Sequence, residues 1–295
     1  MPELAEVEYV ARQLRERVIG RRIVAAQVFW PRAIQGMESG AFEADVVGRV
    51  ITRIGRRAKY LLLTLVRDQH EQTEQTADAD TRILTVHRRM SGNVLFATSE
   101  EVAHGVMTFD PYTRVDFTLD DGSHLVYSDP RKFGRLALVP PDALPAFFAT
   151  IGPEPLAATF TPEVLGARLA SHKGPIKATL MDQSVVAGLG NIYADEALYR
   201  ARIHPLRPAN SLDEGELQTL RDAIQAVLET GIQNGGVTFG RHRGIYNEAG
   251  TNLEHLDVYQ REGQPCRRCG TPIQRIVVAQ RGARFCPACQ QLAGA

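Results

Sequence analysis

The sequence contains no uninterrupted apolar run of the roughly 18 residues that a membrane-spanning helix needs, which excludes a helical membrane protein. It has no excess of either charge: 34 basic and 34 acidic residues give a formal net charge of +0, which excludes a bulk polyanion binder. Four cysteines in 295 residues are too few for a disulfide scaffold. The N-terminus lacks the apolar core of a secretory signal and carries Glu3, Glu6 and Glu8 instead, so a cytoplasmic protein is expected. There is no internal repeat and no low-complexity tract. What remains is a globular composition, 44% hydrophobic and 23% charged, in a chain long enough for two domains.

The zero total conceals local asymmetry. Gln264 to Ala295 holds five arginines (Arg267, Arg268, Arg275, Arg281, Arg284) and no acid, whereas Asp68 to Asp80 holds five acids and no lysine or arginine. Local field, not net charge, decides where a phosphate backbone docks. A basic run of this kind is equally compatible with a solvated face.

Leu4, Val7, Val10, Ala11, Leu14 and Val18 recur at helical spacing and predict one amphipathic helix over residues 4–18, stopped at Gly20. Short strand-like runs follow at Arg22–Phe29, Val46–Ile54, Tyr60–Val66, Arg82–Val86, Asn93–Ala97, Arg114–Leu119, His124–Tyr127 and Arg135–Val139, the pattern of a β-sandwich or barrel. The polar Asp68–Asp80 segment is expected to be an exposed hairpin loop without a functional role. Prolines cluster at 140, 141, 145, 153 and 155 and mark a domain boundary. Beyond it, helices are expected at Pro162–Ser171, Pro175–Asp182, Tyr193–Ala201 and Leu212–Gln233, then a glycine-rich region, Gly235–Thr251. The expected fold is α+β in two domains: a catalytic β-sandwich domain over 1–140, a linker over 141–160, a helical domain over 161–259, and a zinc hairpin over 260–295.

All four cysteines fall in Cys266-x-x-Cys269 and Cys286-x-x-Cys289, sixteen residues apart. Two such knuckles offer four thiolates tetrahedrally to one Zn²⁺, a closed and therefore structural site; a redox pair is the weaker alternative. The module is too small to bury its own core, so the metal would supply its folding energy. The intervening residues predict strands Ile273–Ala279 and Ala283–Phe285 about a turn at Gly282, with Arg281 beside that turn.

The chain opens Met1-Pro2-Glu3-Leu4-Ala5-Glu6. Removal of Met1 would leave Pro2 as a secondary amine whose pKa, about 8, keeps a usable fraction unprotonated. Attack on a sugar C1′ by such an amine gives an iminium, a cation that acidifies the C2′ proton and promotes strand cleavage by elimination. Glu3 and Glu6, three apart at a helix start, share a face near that amine. Taken alone, these residues read first as ordinary helix-dipole and capping chemistry, with catalysis the lesser reading.

Several segments together point further. Pro2-Glu3-Leu4-Ala5-Glu6-Val7-Glu8 resembles the P-E-L-P-E-V-E opening of formamidopyrimidine-DNA glycosylases. Arg56-Arg57-Ala58-Lys59-Tyr60-Leu61 is similar to their R-R-G-K-Y-L, and His87-Arg88-Arg89-Met90-Ser91-Gly92 to H-L-x-M-S/T-G. Asp129-Pro130-Arg131-Lys132-Phe133-Gly134 resembles D-P-R-R/K-F-G, and Leu180–Gln183 with Gly188–Tyr193 resembles the helix–two-turn–helix. With the zinc segment, the resemblance runs in order along nearly the whole chain. It implies Pro2 as nucleophile, Glu3 as the acid that opens the deoxyribose, Glu6 as holder of the N-terminus, and Lys59 at a phosphate near the lesion. Met90, Arg131 and Phe133 would refill the gap left by an extruded nucleotide, with Arg131 on the orphaned base. Lys177, Asn191 and Arg281 would contact the DNA backbone, the two domains clamping the duplex.

The implied function is excision of oxidised purines from damaged double-stranded DNA with abasic-site lyase activity, by a monomer that is nucleoid-associated through DNA binding. The rivals are an endonuclease VIII-like enzyme for oxidised pyrimidines, against which Leu4 counts, and a non-enzymatic zinc-finger protein that binds damaged DNA. The chain departs from the family at Ala5, where proline is usual, and at Arg88, where leucine is usual. It departs also at Gly282-Ala283 and over 235–255, the loop implied to bind the flipped base.

Overall fold

The computed structural model describes residues 2–67, 80–104, 111–238 and 243–292. They form two compact units, Met1–Ala149 with Gly235–Gly250, and Thr150–Asn234 with Thr251–Ala295. Among the described residues, no helix is long and apolar enough to cross a membrane.

The first unit begins with α1 (Leu4–Val18), whose apolar stripe Leu4, Val7, Val10, Leu14 and Val18 is buried. Each of the larger of these side chains contributes about 1.5–3 kcal/mol through removal from water. The helix ends at Ile19; Gly20, at φ 85°, turns the chain and donates its N–H to Ile51 O at 2.8 Å. Then come β1 (Ile23–Val28), β2 (Ile34–Gln35), α2 (Ser39–Val46), β3 (Arg49–Arg57), β4 (Tyr60–Arg67), β5 (Thr81–His87) and β6 (Asn93–Ala97). The unit continues through α3 (Ser99–Ala103), β7 (Thr113–Leu119), β8 (His124–Ser128), β9 (Arg135–Val139) and α4 (Leu144–Phe147).

The strands make a four-stranded sheet, β1-β7-β8-β6, and a five-stranded sheet, β2-β9-β5-β4-β3. All pairings are antiparallel except β2 with β9. β4 shows why a sheet forms here: its burial alternates residue by residue, Leu61, Leu63 and Leu65 pointing inward. These leucines share one core with Val94, Phe96, Val115, Phe117 and Leu125 of the other sheet and with α1, the expected sandwich.

The second unit holds α5 (Pro162–Leu169), α6 (Ile176–Leu180), α7 (Asn191–Arg200) and α8 (Glu214–Gln233), then the hairpin β10 (Gln274–Val278) and β11 (Arg281–Phe285). Thr161 caps α5, accepting from Val164 N at 3.3 Å, and Asp213 with Glu216 forms a capping box on α8. A Cβ at Gly231 would strike the Tyr193 ring, so glycine permits α7 and α8 to lie this close.

Several expectations shift. The strand expected over Val46–Ile54 forms as β3, which starts at Arg49 and runs on to Arg57, while Val46 closes α2, a helix not expected, whose Phe42 and Val46, one helical turn apart, are buried. The zinc hairpin turns at Ala279-Gln280, both left-handed (φ 47° and 61°), and Gly282 lies within β11 opposite Val277. Arg281 therefore flanks the turn as a strand residue paired with Val278. Residues 141–160 are not a bare linker: Phe147 and Phe148 of that segment pack edge-on against Tyr60. Gly235–Gly250, read from the sequence with the helical domain, packs in the first unit because α1 side chains take its backbone, Ile245 N donating to Gln13 Oε1 at 3.1 Å. The zinc segment is not separate either, since Cys266, Ile273 and Cys286 share a core with Tyr199 and Val258. The acidic loop lies outside the described residues except Asp80, which pairs with Arg49 at 2.9 Å; β4 and β5, which it joins, do form a hairpin.

β3 and β4 meet at a two-residue turn, Ala58-Lys59, in which Ala58 is left-handed at φ 50° and buried. A Cβ in this region costs about 1–2 kcal/mol. Ala58→Gly is expected to raise stability by about 0.5–1 kcal/mol, the relief being offset in part by glycine's greater freedom when unfolded, measured as a higher denaturant midpoint with unchanged slope.

Candidate active site

The β3–β4 turn sets Lys59 beneath the first turn of α1. Lys59, Glu3 and Glu6 are 5%, 3% and 6% exposed, and Pro2 is buried with them. Burial pulls the Lys59 ammonium below its ordinary pKa, and the nearby carboxylates of Glu3 and Glu6 oppose the shift. Glu6 is fully engaged: Oε2 accepts from Glu3 N at 2.8 Å and Oε1 from Val237 N at 2.9 Å. The first turn is thus closed with Ala5 buried at its second helical position, so the proline usual there is not needed to hold it. Glu8 is occupied elsewhere, accepting from Arg12, Arg15 and Arg56.

Two neighbouring turns gather the next group. Arg89 is left-handed at φ 50°, and its N–H donates to His87 Nδ1 at 3.0 Å. Burial and the Arg89 and Lys59 charges lower His87 to about 4, keeping it neutral and its Nδ1 an acceptor. Met90 follows, 45% exposed. The second turn holds Arg131, Lys132 (φ 60°) and Phe133, with Phe133 46% exposed and the Arg131 guanidinium 4.8 Å from its ring centre.

Asp129 ties the turns together. It is fully buried, accepts from Ser91 Oγ and from Arg131 N (3.1 Å) through Oδ1, and from Gly134 N (2.8 Å) through Oδ2. A Cβ at Gly92 or Gly134 would collide with the Tyr127 hydroxyl, which explains glycine at both positions. Sequence reasoning did not single out Asp129 or Tyr127, although Asp129 heads the quoted Asp-Pro-Arg-Lys-Phe-Gly segment. Met90 and Phe133 are not core residues. They are apolar side chains held out in water by rigid turns.

In the second unit, Gln183 shapes the turn before α7: its Nε2 donates to Met181 O (3.0 Å) and Leu189 O (2.7 Å), and its Oε1 accepts from Gly188 N (3.0 Å). Asn191 opens α7 and reaches Tyr259 Oη at 3.5 Å. Lys177 corrects an expectation. Its side chain is wholly buried, with Nζ 2.6 Å from Asp195 Oδ1 and bonded to Gly282 O, so no face of it is presented to a phosphate. Asp195 Oδ2 also accepts from Arg284 N at 3.0 Å, so the pair fastens β11 to α6 and α7. No sequence signal marked Asp195; a helix acid ordinarily faces solvent. Arg281 is exposed on β11.

The four cysteine sulfurs lie within 4.8 Å of one another. Tetrahedral Zn²⁺ with Zn–S near 2.3 Å requires sulfurs about 3.8 Å apart, and separations of 3.4, 3.5 and 4.0 Å occur here. Four soft donors, with no carboxylate in the cluster, fit one structural zinc ion and leave no position for a substrate.

Fold and thiolate cluster together define a helix–two-turn–helix enzyme with a zinc finger. Three family models match in sequence: the formamidopyrimidine-DNA glycosylase N-terminal domain over residues 1–136, the corresponding H2TH domain over 151–242, and the zinc finger found in FPG and IleRS over 263–292. The formamidopyrimidine-DNA glycosylase of Herpetosiphon aurantiacus is 45% identical over 98% of this chain and 100% of its own length. Lactococcus lactis Fpg solved with an abasic-site DNA matches 98% of this chain and 100% of its own, at 33% identity and TM-score 0.84. The wild-type Lactococcus lactis enzyme solved with an oxidised-pyrimidine DNA matches 99% and 100%, at 34% identity and TM-score 0.85. The chain belongs to the formamidopyrimidine-DNA glycosylase family.

Because Met90 and Phe133 bury little, Met90→Ala and Phe133→Ala are expected to change folding stability by less than about 0.5 kcal/mol. Chemical denaturation of each variant checks this; a loss of the size of a core truncation would place them in the core instead.

Proposed function

We propose that this enzyme extrudes an oxidised purine from duplex DNA, releases it through a covalent link to Pro2, and cleaves the strand at the resulting site. The observation that carries this reading is the gathering of Pro2, Glu3, Glu6 and Lys59 at one buried position at the start of α1. Glu3 and Glu6 do form a capping box on α1, but capping does not call for a buried ammonium beside them.

In this reading the Pro2 nitrogen, once freed of Met1, attacks C1′ as the C1′–N bond to the base breaks and the base leaves with that electron pair and takes up a proton. The nitrogen then loses its own proton. Glu3 protonates O4′ as the C1′–O4′ bond opens, giving an iminium at C1′. That cation accepts electrons when the C2′ proton is removed and the C3′–O bond breaks; a second elimination breaks C5′–O, and water releases Pro2. Glu6 acts on none of these atoms; with both oxygens taken, it holds the turn. Lys59 supplies a point charge for a phosphate beside the sugar. Met90 and Phe133 wedge into the emptied stack, Arg131 meets the orphaned base, and Gly235–Gly250 contributes to holding the extruded one. Asn191 and Arg281 contact the backbone. Lys177 acts indirectly, by fastening β11, which carries Arg281. Zinc, when bound, locks the hairpin fold; it takes part in no bond change.

Borohydride added to intact protein and an 8-oxoguanine duplex is expected to trap one covalent adduct, and peptide mapping to place it on Pro2. Fully active material that retains Met1 would end the mechanism. Arg281→Ala is expected to weaken binding of all sequences alike and to reduce the slope of log K against log salt by about 1, the loss of one phosphate contact; an unchanged slope would remove Arg281 from the backbone.

A further inference from the structure

Arg88, which stands where the family motif has leucine, is the most deeply enclosed cation of the first unit's candidate site. Its guanidinium is 1% exposed, and its donors go to neutral oxygens: Nε to Gly92 O at 2.9 Å, Nη1 to Glu6 O at 3.4 Å, and Nη2 to Asn93 Oδ1 at 2.7 Å and Arg243 O at 3.2 Å. Burial lowers its pKa to about 10, with Glu6 opposing, so the group is charged at neutral pH. Asn93 Oδ1 accepts from Arg243 N as well, at 3.3 Å. Both backbone groups of Arg243 are therefore held at one node, the carbonyl by Arg88 and the N–H by Asn93.

The other end of that arrangement is equally specific. Arg88 grips the backbone of Glu6, and the carboxylate of the same Glu6 accepts from Val237 N at 2.9 Å. Val237 is thus attached directly to Glu6, a first-turn residue of α1 four positions from Pro2, and Arg243 is linked to the same residue through Arg88. Leucine at position 88 would fill space but could make none of these bonds. A cation held out of water keeps its charge through hydrogen bonds such as these, which also fix its geometry.

We infer that Arg88 is a positioning residue that sets the backbone at Val237 and Arg243 in register with the N-terminal amine and thereby governs release of the extruded base. The inference rests on the proposed chemistry and deepens it. It separates the two halves of the reaction: holding a base matters to base release, whereas a sugar that has already lost its base needs only Pro2 and the acids beside it. Arg88 itself touches neither base nor sugar; it acts through the backbone of Arg243 and Glu6.

The test uses the full-length zinc-loaded protein and two duplexes, one with 8-oxoguanine and one with a preformed abasic site. Arg88→Leu is expected to slow single-turnover base release on the order of 10- to 100-fold, the scale of a misplaced reacting partner, while borohydride trapping at the abasic site stays within about twofold of wild type. Asn93→Ala, which loosens the same node without removing the cation, is expected to give the same split in smaller measure. Arg88→Lys, keeping the charge and a donor, is expected to fall between Arg88→Leu and wild type. A merely structural arginine would lower both reactions by one factor. Equal loss in both, or no loss in either, for Arg88→Leu and Asn93→Ala overturns the proposal. Failure of the amine chemistry is distinct: wild type would then trap neither duplex, and this inference would fall with it.

Discussion

The first unit depends on one buried carboxylate. Glu6 takes the N–H of Glu3 through one oxygen and the N–H of Val237 through the other, so a single side chain closes the first turn of α1 and fixes a segment more than two hundred residues away. Hydrogen bonds to a carboxylate are stronger than neutral ones, and inside a core the alternative is an unpaired charge, so the geometry is steeply preferred. The position of Pro2 follows from it, because the N–H held by Glu6 belongs to Glu3, the residue bonded directly to Pro2. Gly236 belongs to the same arrangement: at φ 76°, a Cβ there would run into the Glu6 side chain.

A second regularity links the candidate residues to the sheets that carry them. Ala58 immediately precedes Lys59, Arg89 immediately precedes Met90, and Lys132 separates Arg131 from Phe133; all three are left-handed without being glycine. Such conformations cost on the order of 1 kcal/mol each and persist where surrounding structure over-determines them. Here the determinants are explicit: the β3–β4 register for Ala58, the imidazole of His87 for Arg89, and the carboxylate of Asp129 for the turn around Lys132. Stiff turns hold Met90 and Phe133 out in water, where a flexible loop would let them collapse onto the surface.

The charges follow the same logic. A chain with no net charge carries several ionic groups inside: Lys59 beside two glutamates, Arg88 among carbonyls, and Lys177 against Asp195. Burial raises the Asp195 carboxyl to about 6, Lys177 opposing, and removal of either partner would strand the other. In the second unit this pair joins β11 to the helices, so the zinc hairpin is located by an ion pair and by its shared core as well as by its thiolates. Lysine and arginine are here as much framework as surface.

Sequence alone determined what depends on local periodicity and on chemistry carried by neighbours in the chain. The stripe of α1, the alternating leucines of β4, the boundaries of β6 and β9, and the paired cysteine knuckles are all of this kind, and they were legible because burial repeats with the helix or strand period. α2 escaped because its signal is only Phe42 and Val46, and the hairpin turn was misplaced because Ala279 and Gln280 are not residues that announce a left-handed pair. The candidate site was legible as a set of segments and not as an arrangement. Only the tertiary structure decided that Lys59 lies under Glu3 and Glu6, that Lys177 is enclosed by Asp195, that Asp129 joins the Met90 and Phe133 turns, and that Gly235–Gly250 belongs with α1. Each of those contacts joins residues far apart in the chain, and whether a charged side chain meets a partner or water is fixed by packing, which no local pattern encodes.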